Sequence, residues 1–113
     1  MTVIDIQIAM RHLRAEDFDQ SHVELLLAAA EDSAAQYLNR RFYADADALA
    51  AAILDGTAGP DPIVINPSIV VACLLKAGSL YENRDDDVAG GTFSELPSGS
   101  KSLLTPYRVE WGV

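Results

Sequence analysis

Residues 69–75 read Ile-Val-Val-Ala-Cys-Leu-Leu and follow an Asn66-Pro67 pair. Asn is a favoured helix N-cap and Pro a favoured first helical residue, so the pattern predicts a helix from about 67 to 84. A helix that is apolar on every side must lie at the centre of a core or be covered by a partner. The chain has 113 residues, enough for one modest core and too few for two. So small a core does not easily wrap a helix completely. The run therefore predicts a single domain over 1–113 and, through residues such as Ile69 and Cys73, an oligomer contact.

The remaining segments also read as helices. Alanine, the strongest helix former, is abundant. Thr2 and Asp5 resemble a capping box ahead of Ile6, Met10 and Leu13, which predicts a first helix over about 3–13, with Arg11, His12 and Arg14 at its negative end. Val23, Leu26, Leu27, Ala30, Ala34, Tyr37, Leu38 and Phe42 fall on one stripe, which predicts a long helix over about 20–41. Glu24, Glu31, Asp32, Gln36 and Asn39 fill much of its other side. Arg40-Arg41 would close this helix where cations offset its dipole; the alternative is a phosphate contact. Residues 44–55 predict a short third helix capped by Asp45 or Asp47, with Leu49 and Ile53 facing inward. A Gly-Pro-rich loop spans 56–62, and Ile63-Val64-Ile65 could be a short extended piece. Asp85-Asp86-Asp87 and Gly90-Gly91 mark a mobile loop over about 85–98. Ser98 would cap a last short helix over about 99–105, stopped by Pro106 and followed by a tail containing Trp111. The fold class is all-α, a small bundle of about five helices.

Composition narrows the function. There are 8 Lys+Arg against 17 Asp+Glu, a formal net charge of -9. That balance argues against a phosphate-gripping nucleic-acid binder and against attachment to anionic lipid. Aromatics make up 7% of the chain, too few for a stacking platform. The single cysteine, Cys73, excludes an intramolecular disulfide and reads as a small buried hydrophobe rather than a reactive thiol. The opening MTVIDIQIAM lacks the basic start and apolar stretch of a secretory leader, and no run approaches the ~20 apolar residues of a membrane span; synthesis in the cytosol is expected.

No catalytic constellation stands out. Glycine-rich phosphate loops, nucleophile elbows and zinc-protease signatures are absent from the sequence. His12 and His22 lack partners at metal-ligand spacing, and the three adjacent aspartates do not follow the spacing of a calcium loop. No enzyme activity, metal or cofactor is expected.

Two segments carry a resemblance. One is Leu80-Tyr81-Glu82-Asn83-Arg84-Asp85 at the end of the apolar helix. The other is Leu96-Pro97-Ser98-Gly99 with Leu103-Leu104-Thr105-Pro106-Tyr107-Arg108. Together with His12-Leu13-Arg14, the acidic turn and Tyr37-Leu38-Asn39-Arg40, they resemble the head–tail connector (adaptor) proteins of tailed double-stranded DNA bacteriophages and prophages. The resemblance implies an all-α, non-enzymatic virion protein at the head–tail junction, made in the host cytoplasm. It implies a ring of about twelve copies of the chain beneath the portal protein. Such a ring would extend the DNA channel, let double-stranded DNA pass without tight binding, and offer a docking surface to a neck or tail-completion protein. The interface candidates are Ile69, Cys73, Tyr81, Asn83, Arg84, Leu104, Tyr107, Arg108 and Trp111. Tyr81 has core packing as its alternative role. Arg84 has helix capping or a pair with Glu82 or Asp85, and Trp111 could fold back on its own core. The competing reading of the whole chain is a small non-enzymatic helical module, regulatory or scaffolding, that binds a protein partner without forming a ring.

Overall fold

A computed structural model describes residues 2–82 and 98–109. Five helices carry the fold: α1 (Ile6–Leu13), α2 (Gln20–Leu38), α3 (Ala46–Asp55), α4 (Pro67–Glu82) and α5 (Ser98–Leu104). Single 3-10 turns occupy Asp17–Asp19 and Thr105–Tyr107. The all-α expectation holds, with one small addition. Strand β1 (Phe42–Tyr43) pairs in parallel with β2 (Ile63–Val64), in the register Phe42 to Ile63 and Tyr43 to Val64. The amides of Ile63 and Ile65 donate to the carbonyls of Arg41 and Tyr43 at 3.0 and 2.8 Å.

Helix α4 is the centre of the bundle. Asn66 caps it as expected, its Oδ1 accepting from the Ile69 amide at 2.9 Å. Ile69, Ala72, Cys73, Leu74 and Ala77 are buried, together with Lys76. They pack between α2, which contributes Val23, Leu27, Ala30, Ala34 and Leu38, and α5, which contributes Leu104. Of the apolar run only Val71 and Leu75 remain exposed, at 45% and 37%. Tyr81, near the end of α4, donates its hydroxyl to Asp19 just before α2 at 2.9 Å, so the two long helices run antiparallel. On the other side of α4, the Ser100 hydroxyl donates to the Ala72 carbonyl at 2.8 Å and ties α5 down.

Local chemistry corrects several expected boundaries. Helix α1 starts at Ile6 because Asp5 is its cap, accepting from the Gln7 amide at 3.0 Å. Thr2 takes no part in a capping box; its hydroxyl donates to the Ile4 carbonyl at 2.6 Å. Helix α2 ends at Leu38 and not at Arg41, because Asn39 turns left-handed (φ 59°). Asn tolerates that conformation better than most residues. Its side-chain amide also donates to the Val109 carbonyl at 2.8 Å, which secures the turn. Arg40, Arg41 and Phe42 therefore leave the helix, and Phe42 reaches the core from β1. In α3, capped by Asp45, the buried residue is Ala52; Ile53 is 59% exposed and Leu54 88%. The stretch expected as a mobile loop over 85–98 lies, apart from Ser98, outside the described residues.

Candidate protein-protein interfaces

The interface candidates separate into three groups. Ile69, Cys73 and Leu104 have no accessible surface. They hold α4 and α5 to the core and cannot meet a partner in this fold. On α4 the apolar surface open to a partner is Val71 and Leu75 instead. Tyr81, Tyr107 and Arg108 lie at the periphery. Asn83, Arg84 and Trp111 fall outside the described residues.

Tyr81 is half-buried and braced by Asp19, and it faces the His22 ring with centroids 6.3 Å apart. The described part of the tail, Thr105 to Val109, is strapped to the C-terminal end of α2. The Val109 amide donates to the Leu38 carbonyl at 2.8 Å. The Arg108 guanidinium lies 4.8 Å from the Tyr37 ring centroid and donates to the Tyr37 carbonyl at 2.7 Å. The Tyr37 hydroxyl in turn shares a 2.8 Å hydrogen bond with Thr105.

Arg40 and Arg41 gather at the same end. Arg40 donates through Nε to the Asp61 carbonyl at 2.6 Å and through Nη1 to the Tyr107 carbonyl at 3.1 Å. Arg41 donates to the Thr57 carbonyl at 3.1 Å. Both arginines line a cleft of about 300 Å³ with Asp32, Ala35, Gln36, Asn39 and Pro60. A second cleft of about 390 Å³ lies beside it, between Arg41, Tyr43, Val3 and Glu31.

Glu31 also departs from the position expected for it. It belongs not to a solvated side of α2 but to the buried one, with 8% exposure. Its two carboxylate oxygens accept the amides of Val3 and Ile4 at 2.9 and 2.8 Å, which fastens the N-terminal segment across α2. Burial raises its pKa above the ordinary carboxylate value, and the two amides pull it back in part. The spacing contained a signal: Glu31 lies four residues after Leu27 and three before Ala34, within the apolar stripe.

Cys73 behaves as the buried hydrophobe expected. Burial, helped by the nearby Glu31 charge, pushes its thiol up to about 12. Thiolate is the reactive form, so the folded chain should resist thiol reagents at neutral pH and react fully once denatured. Rapid labelling of the native protein in an absorbance assay would contradict this burial. Lys76, buried beside it on α4, has its pKa lowered by desolvation. Among the described residues no group of three or more His, Cys, Asp or Glu side chains is placed to hold a metal ion, and no helix is long and apolar enough to cross a membrane.

These contacts define a small helical domain in which Glu31, Asn39, Tyr81, Ser100 and Arg108 fasten its own segments to α2 and α4. The family model for the phage gp6-like head-tail connector protein matches residues 3–108, and the chain belongs to that family. No curated protein and no solved structure gives a match. Family membership assigns a structural role at the head–tail junction of a phage virion, in a family that is in general non-enzymatic and meets portal and tail proteins.

Proposed function

We propose that the chain assembles as a closed ring of about twelve copies beneath the portal, continuing the DNA channel and presenting a docking surface to the next neck or tail protein. The carrying observation is the family match across residues 3–108. The net charge of -9 agrees with it, because a conduit that repels phosphate lets DNA slide without holding it. The exposed apolar side chains Leu25, Ile53, Leu54 and Val71 supply surface for subunit and partner contacts. Catalysis forms no part of this role.

Native mass spectrometry of the chain, alone and with the portal protein of the same phage, tests the proposal. The expected result is a ring of about twelve subunits, free or formed only on the portal. A monomer or dimer that ignores the portal at every concentration would overturn it.

A further inference from the structure

We propose that the acidic turn Glu16–Asp19 of one copy docks into the Arg40–Arg41 cleft of the next, setting the head-to-tail order of the assembly. The inference rests on the ring reading above and identifies one contact that closes it.

The two surfaces lie at opposite ends of α2. The turn immediately precedes the helix and the arginines follow it. A helix of 19 residues is about 28 Å long, so one chain's turn does not reach its own cleft. Each copy thus carries one half of the contact at each end. A patch that binds a different patch on the next molecule is the heterologous arrangement that ring closure requires.

The chemistry of the halves is complementary. Glu16 and Asp17 are exposed, and Phe18 between them and Asp19 is 84% exposed. Asp19 is held from behind by the Tyr81 hydroxyl, which fixes the turn and leaves Glu16, Asp17 and Phe18 projecting. In the cleft, main-chain carbonyls hold both guanidinium groups. Carbonyls orient a cation without cancelling its charge, and guanidinium groups suit carboxylates. Among the described residues neither Arg40 nor Arg41 pairs with a carboxylate. Asp32 shares the cleft wall and accepts from Gln36 at 2.8 Å, so the cleft sets two guanidinium groups against one carboxylate. Ala35 and Pro60 offer apolar wall to an incoming aromatic ring. Two adjacent arginines are a notable concentration in a chain with 8 basic residues against 17 acidic ones. Complementary charge of this kind sets register and orientation more than raw affinity.

Charge reversal tests the pairing. Arg41→Glu, Asp17→Lys and the double variant are compared with the parent chain by native mass spectrometry on the portal. Circular dichroism and urea unfolding verify that each variant folds. Each single reversal is expected to lower the assembled fraction about tenfold, and the double variant to recover most of it, because the restored pair is opposite in sign. Parent-like assembly by both single variants overturns the docking proposal while leaving the ring reading intact. A double variant worse than either single one also overturns it. An Arg41→Glu chain that assembles normally but loses salt-sensitive retention of double-stranded DNA would make the cleft a phosphate site, and the proposal fails. A parent chain that never assembles overturns both readings.

Discussion

Ile69→Ala is expected to lower the unfolding free energy of the isolated chain by about 3 kcal/mol. Ile69 has no accessible surface and packs at the start of α4, where α2 and α5 meet it. Truncation there removes buried methyl groups and leaves a cavity that tightly packed helices fill only in part. The midpoint of thermal unfolding should fall by roughly 12 °C in a domain of this size. Val71→Ala is the matched control: it lies two residues on, is 45% exposed, and should change stability by less than about 0.5 kcal/mol. Urea unfolding of dilute, monomeric protein measures both. An Ile69→Ala chain with parent-like stability and broken assembly would put Ile69 at an interface and refute the core placement.

The distinction between core and interface was the hardest one to make from sequence. The helix over 69–75 was legible because Asn66 and Pro67 announce its start and its apolar run is unbroken. Its covering was not legible, because the segments that enclose it are distant in the chain. Leu104 reaches α4 from α5, and Ser100 reaches the Ala72 carbonyl across 28 positions. Periodicity describes one helix at a time and carries no information about which neighbour fills which side. Helix ends were legible where a cap acts locally, as at Asp45 and Asn66. They were misjudged where a distant contact decides. Asn39 stops α2 early while bonded to Val109, and Arg40 is drawn to Asp61 and Tyr107. The connector assignment was legible through motifs at both ends of the chain. The arginine cleft was not, since its walls come from α2 and from the loop at Pro60.

Glu31→Ala is the second large effect, with an expected loss of about 3 kcal/mol. The mechanism differs from that of Ile69. Removing the carboxylate leaves the Val3 and Ile4 amides without their acceptors, and the Ile4 bond is buried. A donor stranded away from water costs more than the bond itself contributed. The segment that carries Ile4, a 4% exposed core residue, should then loosen, and amide hydrogen exchange at Val3 and Ile4 should rise with it. Glu31→Gln keeps one acceptor oxygen and should lose less, about half as much. The pH dependence separates this carboxylate from a salt-bridged one. Its folded pKa lies above the ordinary 4.5, so the folded chain binds a proton more readily than the unfolded one. The resulting stabilisation is complete below pH 4.5 and is lost as pH rises through the raised value. The stability gap between the parent and Glu31→Gln should therefore widen as pH falls from neutrality towards 4.5, measured by urea unfolding at each pH. A gap that narrows on acidification would mean that the two amides outweigh burial, with the carboxylate held below its ordinary range.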